Sequence, residues 1–293
     1  MTIRLRRLGP FAAVVAAISG IPLIWLGCAD VLGIQPLTFP PDAGEAASLR
    51  DGGDAGDAFA TDWCKTHAAD AAVCEDFDED DALPSPGWNR VVYGAGGDAA
   101  FDDDVYVSPP RGLTIDVPAV PSNVAGQWWL WRPDLPALAA TGSSTVTLAF
   151  DVRLDEPASG SDSYVVLGGF VFDLGSADAG ASVELLYDAD GLHLVQGFGA
   201  ALTDFGLSTV PLPSPGTWTR VELDLTLDAD DGGVWGTATV GGMKTAFDAG
   251  AVVALASLNG HGPPTAGVGN LIALGPSSAQ TVHIDDVVVD VQR

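Results

Sequence analysis

Basic residues are scarce in this chain. Lys and Arg number 12, against 39 Asp and Glu, and the formal net charge of the 293 residues is −27. A surface this acidic repels phosphate backbones, so the sequence argues against nucleic-acid binding. Most of the acids are Asp, and the coding bias of a GC-rich genome accounts for that preference as readily as a function does.

Several catalytic signatures are also missing. The histidines His67, His193, His261 and His283 are scattered, without an HExxH spacing. The sequence holds no Gly-x-Ser-x-Gly nucleophile elbow and no internal repeat that would indicate a propeller or a solenoid. These absences argue against a zinc protease, an α/β-hydrolase and a repeat protein.

Only three cysteines occur, and the first ends a segment with the layout of an export signal. Residues 1–28 begin with basic side chains, continue as an apolar run and end in small residues before Cys28. The run is interrupted by Gly20 and Pro22 and is shorter than the about 20 apolar residues that a spanning helix needs. The sequence therefore predicts a signal peptide over residues 1–28.

The end of this segment, Leu26-Gly27-Cys28, resembles the lipobox of bacterial lipoproteins, with Trp25 where a leucine is usual. The resemblance implies cleavage before Cys28 and lipidation of that cysteine, with plain secretion and a retained anchor as alternatives. Ala29 is not the aspartate that retains lipoproteins at the inner membrane. The resemblance therefore implies the outer membrane or the cell surface, with the lipid as the membrane contact.

Residues 29–60 and the other two cysteines, Cys64 and Cys74, come before the predicted strands. Residues 29–60 are rich in Gly, Ala, Asp and Pro, a composition that cannot offset ordering entropy, and we predict a disordered tether. Cys64 and Cys74 form an even pair in an oxidising compartment, and the nine residues between them do not fit a redox motif. We predict a disulfide, because a zinc site built with His67 would lack a fourth ligand.

From residue 73 onward the pattern is that of strands and turns. In 216–242, for example, Val221, Leu223 and Leu225 alternate with polar residues, which gives one core face and one outward face. We predict short helices at 66–72 and 249–257. We predict strands near 73–78, 88–93, 99–106, 111–117, 124–131, 144–154, 163–173, 181–187, 192–198, 203–210, 217–227, 234–240, 243–247, 266–274 and 281–291. The fold class is therefore all-β, a two-sheet antiparallel β-sandwich of the jelly-roll type, over residues 61–293.

Four stretches resemble the concanavalin A-like, laminin G-like jelly rolls: CEDFDEDDALPSPGWNRV (74–91), WTRVELDLTLD (218–228), GVWGTATVGG (233–242) and VHIDDVVVDV (282–291). Gly241-Gly242 departs from the Asn-Gly or Asp-Gly pair that is common in the hairpin turn. The superfamily includes lectins, carbohydrate-binding modules, endoglucanases, polysaccharide lyases and adhesive modules. The resemblance implies a fold and leaves the function open.

One strand carries a row of carboxylates that is similar to a catalytic motif. Glu222-x-Asp224-x-Thr226 resembles the Glu-x-Asp-x-(x)-Glu strand of laminarinase-like glycoside hydrolases. There the first Glu is the nucleophile and the last is the general acid, with two carboxyls about 5 to 5.5 Å apart. Here the acid position is Thr226 or Leu227, neither of which can donate the proton. We therefore predict no catalytic residue.

The same strand and an aromatic cluster suggest a ligand surface. Sugar rings stack on exposed aromatic side chains, and arginine and carboxylates bind hydroxyls. The hypothetical ligand-binding set combines two segments of the chain: Trp129, Trp131, Arg132, Trp218, Glu222 and Asp224. The alternative is that the tryptophans fill the core.

Calcium is the one cofactor suggested. The resemblance implies a structural Ca²⁺ between the first and last strands, where carboxylate oxygens would ligate it. The hypothetical ligands are Asp76, Asp78, Asp285 and Asp286, and the aspartates of 102–104 or of the 228–231 turn are alternative sites. The alternative without calcium is that these aspartates are simply solvated.

Taken together, the sequence predicts an exported, lipid-anchored surface protein whose jelly roll binds a polysaccharide or another cell-surface component without catalysis. A polysaccharide hydrolase or lyase, and a structural or adhesive module with no small-ligand site, are the rival hypotheses.

The lipid anchor is directly testable. Replacing Cys28 by Ala removes the thiol that would carry the lipid, so we expect metabolic labelling of the protein with a fatty acid to be lost. A Cys64→Ser variant, which affects the predicted disulfide only, should keep its label. Unchanged labelling of Cys28→Ala would contradict lipidation at this residue.

Overall fold

Alternating apolar and polar side chains build a two-sheet antiparallel β-sandwich, a jelly roll. The structure, a computed structural model, describes residues 63–78, 82–94, 96–119, 126–156, 164–176, 179–188, 191–198, 201–204, 214–228, 233–251, 263–273 and 278–293. The predicted signal peptide with Cys28 and the predicted tether over 29–60 lie outside these residues. In the part of the chain that is described, no helix is long and apolar enough to cross a membrane.

One short helix precedes the strands. Helix α1 spans Trp63–His67 and has no buried residue. The strands of the described residues are β1 (Val73–Glu75), β2 (Asn89–Gly94), β3 (Asp98–Asp102), β4 (Gly112–Val117), β5 (Gly126–Arg132), β6 (Ser143–Leu154), β7 (Tyr164–Ser176), β8 (Ala179–Asp188), β9 (Gly191–Phe198), β10 (Ala201–Asp204), β11 (Thr219–Asp228), β12 (Gly233–Val240), β13 (Met243–Ala251), β14 (Thr265–Ala273) and β15 (Gln280–Gln292).

The strands form two sheets. The eight-stranded sheet has the order β13-β12-β11-β6-β15-β4-β3, with β1 also pairing with β15, and the seven-stranded sheet has the order β10-β9-β8-β7-β14-β5-β2. On one side β15 pairs with β6, and on the other it pairs first with β4 and then with β1. The first and last strands of the domain are therefore neighbours.

The core lies between the sheets, and β11 shows how the sequence makes it. Val221, Leu223 and Leu225 are at most 2% exposed, while the residues between them are half-buried on the opposite side. Burying each such side chain contributes about 1.5–3 kcal/mol. The facing sheet supplies Phe170 and Phe172, which are also fully buried.

The predicted strands agree with this architecture, because each overlaps one observed strand. The helix predicted at 249–257 is wrong over 249–251, which belong to β13 and pair with β12; residues 252–257 lie outside the described part. Ala and Gly in this stretch have little strand preference of their own, so pairing with β12 decides its conformation. The helix predicted at 66–72 begins and ends earlier, at Trp63–His67.

The predicted disulfide is confirmed. Cys64 in α1 and Cys74 in β1 are bonded, with their Cα atoms 5.6 Å apart. By the loop-entropy estimate, closing so short a loop contributes about 3 kcal/mol. The bond fixes α1 beside the first strand, on the eight-stranded sheet.

Gly236 in β12 shows how tightly this sheet is built. A Cβ on Gly236 would overlap the carbonyl oxygen of Asp224 and lie 2.7 Å from Cζ of Phe247. We expect Gly236→Ala to lower the free energy of unfolding by about 1–3 kcal/mol, as measured by urea denaturation. Thr239→Ala on the outward side of the same strand should cost less, and equal stability of the two variants would contradict the close packing.

Candidate functional site

The outward side of the eight-stranded sheet is a continuous polar surface. Across the strands, Asp224 on β11 lies opposite Thr147 on β6 and Thr237 on β12, and Thr226 lies opposite Trp235 on β12. Cross-strand neighbours lie on the same side of a sheet, so these residues share one surface. We call it the polar face, and it comprises Thr145, Thr147, Asp151, Arg220, Glu222, Asp224, Thr226, Trp235, Thr237, Thr239 and Asp290.

The two carboxylates singled out from the sequence lie at the centre of this face. The Thr147 and Thr237 hydroxyls donate to the two oxygens of Asp224, at 2.8 and 3.2 Å, and hold the carboxylate in place. Burial, together with the charge of Asp224 and a hydrogen bond to it, raises the pKa of Glu222. Glu222 and Asp224 therefore form a coupled carboxyl pair on one strand.

A pocket of about 680 Å³ opens beside this pair, between α1 and the sheet. Its wall on one side is Trp63 with His67, whose rings stack with centroids 5.0 Å apart. We call it the Arg220 pocket. Its lining residues are Trp63, Thr66, His67, Ala68, Ala69, Asp70, Ala71, Val107, Thr147, Ala149, Asp151, Arg220, Glu222, Asp286, Val288 and Asp290.

Arg220 joins the parts of the pocket. Its Nη1 donates to Oδ2 of Asp151 and to the carbonyl oxygen of Asp286, both at 2.8 Å. Its guanidinium carbon also lies 5.5 Å from the ring centroid of Trp63. Burial raises the pKa of Asp151, and the Arg220 charge opposes that rise. The guanidinium of Arg220 thus contacts α1 through Trp63, β6 through Asp151 and β15 through Asp286.

Three tryptophans on this side of the molecule are partly exposed. Trp235 is 41% exposed, and Trp63 and Trp218 are half-buried. Trp218 comes one residue before β11, and its ring centroid lies 6.3 Å from that of His283 on the same outward side. The sequence hypothesis included Trp218 but missed Trp63 and Trp235. Strand alternation could have predicted that Trp235 lies on the outward side, because its neighbour Val234 is a core residue.

Trp129 and Trp131 do not belong to this surface, which corrects the prediction of one combined site. Both are on β5 of the other sheet, only 3% and 8% exposed, in a small apolar cluster with Val166 and Leu186. Trp129 lies over Gly267, where a Cβ would overlap the indole. The missing side chain of that glycine makes room for an aromatic ring to be buried on the sheet.

Arg132 has a structural contact instead of a place in a ligand site. Its Nη1 donates to the carbonyl oxygen of Pro86 at 2.9 Å. A Cβ on Gly87 would overlap the guanidinium, so Arg132 fills the space beside the turn before β2. Together with the two buried tryptophans, it packs the other side of the sandwich.

The four aspartates proposed as calcium ligands do come together at β1 and β15. Asp285 is fully buried and accepts hydrogen bonds from the Val107 and Ser108 N–H groups at 2.7 and 3.0 Å. Asp76 accepts from the Cys64 and Asp78 N–H groups at 3.2 and 3.4 Å. Asp285 thus connects the 107–108 loop to β15, and Asp76 connects α1 to the end of β1.

Asp78 and Asp286 differ, because each keeps a buried Oδ2 without a hydrogen-bond partner among the described residues. Burial raises the pKa of Asp78 to about 7, of Asp285 to about 8 and of Asp286 to about 6. Asp286 and Phe77 also have positive φ angles, 51° and 61°, which are unusual for residues other than glycine. Burial of charge and backbone strain therefore coincide at this cluster.

The oxygens of the four carboxylates that have no hydrogen-bond donor among the described residues are few compared with the ligand number of calcium. Ca²⁺ takes six to eight oxygens, whereas the four carboxylates offer two oxygens without a donor, on Asp78 and Asp286. Within the described ranges, no group of three or more His, Cys, Asp or Glu side chains is arranged to hold a metal ion. Calcium binding stays a prediction.

A second polar network lies near the start of β15, around His283, and was not foreseen from the sequence. His283, 3% exposed, has its Nδ1 2.7 Å from the Thr114 hydroxyl and its Nε2 3.1 Å from Oδ2 of Asp155. Thr114 also donates to Asp102 at 3.0 Å. Burial favours a higher pKa for Asp102, but its hydrogen bonds from the Asp104 N–H and from Thr114 outweigh burial, and the pKa is lowered.

No family model and no curated protein sequence matches this chain. Solved structures do share its fold. An endo-β-1,4-glucuronan lyase from the fungus Trichoderma reesei superposes with a TM-score of 0.52 at 14% identity, over 75% of this chain and 95% of the lyase. The cellulose-induced protein Cip1 gives 0.49 at 17%, over 74% and 96%, and the family 7 alginate lyase A1-II′ gives 0.44 at 12%, over 64% and 83%. The first of these agrees with the predicted fold, a two-sheet antiparallel jelly roll.

The His283 network is testable through Thr114. Thr114→Val keeps the shape but leaves His283 Nδ1 and Asp102 without their shared partner, so we expect the free energy of unfolding at pH 7 to fall by about 1–3 kcal/mol. Because the folded-state pKa of Asp102 lies below its unfolded value, its contribution is present above about pH 4 and is lost as the pH falls. The difference between the two proteins should therefore shrink in acid. A Thr239→Val control should not show this pH dependence.

Proposed function

We propose that this protein is an exported, lipid-anchored surface protein whose jelly roll binds a glycan without catalysis, on the polar face of the eight-stranded sheet. The observation that carries this proposal is the arrangement of Trp63, Trp218 and Trp235. All three are partly exposed on the one face that also presents fixed hydroxyls and carboxylates. Trp129, which the sequence hypothesis included, is buried on the other sheet.

The chemistry of saccharides favours such a surface. The apolar C–H side of a sugar ring covers an indole, and its hydroxyls need hydrogen-bond partners in fixed positions. Asp224 is fixed by Thr147 and Thr237, so it accepts hydrogen bonds at little cost in side-chain entropy. The names of the similar solved structures, a glucuronan lyase among them, support a polysaccharide as the ligand class.

The geometry of the carboxyl pair supports binding over hydrolysis. Glu222 hydrogen-bonds to Asp224, its neighbour on the same side of the strand, so the pair does not stand on opposite sides of a substrate bond. Thr226, at the position of the missing acid, lies 3.4 Å from the Thr145 hydroxyl. One observation favours the hydrolase alternative, since a carboxyl with a raised pKa beside a carboxylate suits a general acid.

A screen of the purified protein against a glycan panel tests the proposal, with and without Ca²⁺. We expect at least one polysaccharide to bind, and Trp235→Ala to weaken it by about 1–3 kcal/mol in isothermal titration calorimetry, by analogy with other aromatic stacking contacts. Val92→Ala, which also removes an exposed apolar side chain but lies on the other sheet, is the matched control.

The same panel separates the rival hypotheses. Release of reducing ends or unsaturated products would favour the hydrolase or the lyase. Absence of binding across the panel would contradict the glycan proposal and favour a structural or adhesive module. A Ca²⁺ requirement for binding or for thermal stability would support the predicted calcium site, and no effect of EDTA would argue against it.

A further inference from the structure

The charge of the Arg220 pocket is one-sided. Of the described side chains that line it, five are carboxylates, and one is a guanidinium. The carboxylates are Asp70, Asp151, Glu222, Asp286 and Asp290. The guanidinium of Arg220 is already paired with Asp151 at 2.8 Å. The pocket therefore has a surplus of negative charge beside its aromatic wall.

One of these carboxylates, Asp286, has an oxygen without a hydrogen-bond donor among the described residues. Asp286 is 1% exposed and lines the pocket; its Oδ1 accepts the Ser108 hydroxyl at 2.6 Å, and its Oδ2 has no donor among the described residues. A buried, unpaired carboxylate oxygen is costly, and a cation near it would offset that cost. Asp286 is also held in a strained backbone conformation, with φ at 51°.

Glu222 at the mouth of the pocket has a related property. Burial and then the neighbouring Asp224 charge raise the pKa of Glu222, so a cation bound close by would favour its ionised form. Asp290 also lines the pocket, and among the described residues its oxygens accept hydrogen bonds from Val291 and Gln292 of its own strand. Two carboxylates are thus positioned to contact a charged ligand.

We propose that the Arg220 pocket binds an amino sugar with a free, protonated amine, within a glycan held on the polar face. The inference rests on the proposed glycan-binding function and specifies its ligand class. The ammonium group would lie among Glu222, Asp286 and Asp290, and the apolar side of the ring would face Trp63. Ring hydroxyls would find Thr147 and Arg220, both of which line the pocket.

The same charges argue against an acidic polysaccharide. A polyuronate carries a carboxylate on each unit, and placing like charges together in a partly desolvated pocket is unfavourable. Arg220 cannot reverse this, because its charge is balanced by Asp151. The ligand class therefore differs from glucuronan and alginate, the polyuronates in the names of the similar structures.

Calorimetric titration of the full-length protein tests the inference. A β-1,4-linked tetramer of glucosamine, its N-acetylated form and a uronic-acid tetramer are compared at mildly acidic pH, low salt and with EDTA present. We expect the free-amine tetramer to bind at least about tenfold more tightly than the acetylated one, in line with a charge-assisted hydrogen bond, and the uronic-acid tetramer not to bind.

Variants assign the effect to the pocket. Glu222→Gln should weaken the free-amine tetramer about tenfold, and Asp290→Asn should act in the same direction if the first variant is unstable. Asp134→Asn makes the same change of charge at an exposed position outside the pocket and should leave affinity unchanged. Tetralysine controls for general attraction to an acidic protein and should neither bind as tightly nor compete.

Each outcome decides a separate claim. Equal binding of the acetylated and free-amine tetramers, or preference for an uncharged glucan, overturns the amino-sugar inference and leaves glycan binding in place. Tetralysine binding as tightly as the amino sugar, or equal losses in Glu222→Gln and Asp134→Asn, also overturns it. If no saccharide of the panel binds at all, the proposed function itself is contradicted.

Discussion

The insertion of the last strand between strands from distant parts of the chain is the constraint on which the rest of the structure depends. β15 pairs along its length with β6, while β4 and then β1 pair with its other side. Neither β4 nor β1 has its full place in the sheet until residues 280–292 are present. Such pairing carries the loop-closure cost of contacts far apart in sequence, which slows the folding of β-sandwiches. It also brings the buried aspartates of both ends of the domain to one place.

The two outer surfaces of the sandwich differ in polarity. The seven-stranded sheet has an apolar cluster on its outward side, around Trp129 and Trp131, whereas the eight-stranded sheet has hydroxyls, carboxylates and Arg220 there. Apolar side chains that leave water stabilise the fold, but they leave little for a polar ligand to contact. The proposed ligand surface is therefore on the sheet that contains β1 and β15.

Strict alternation made most of the fold predictable. The period of two in β11 identified Val221, Leu223 and Leu225 as core residues, and the same reading located the strands. The sheet to which each strand belongs was not predictable, because pairing depends on contacts that a single sequence does not display. This is why Trp129 and Trp218, read as one surface, lie on different sheets. Asp285 was predicted to lie near the first strand as a calcium ligand, but its hydrogen bonds from the Val107 and Ser108 N–H groups depend on a loop conformation that the sequence does not display.

The disulfide that joins α1 to β1 also has a consequence for the shape of the Arg220 pocket. The helix buries no residue of its own, and it is held by the Cys64–Cys74 bond and by the Cys64 N–H donated to Asp76. Trp63, which forms one wall of the pocket, is thus held on the sheet by this bond and by its contact with Arg220. Reduction of the bond would loosen that wall of the pocket while the paired strands of the sandwich remain in place.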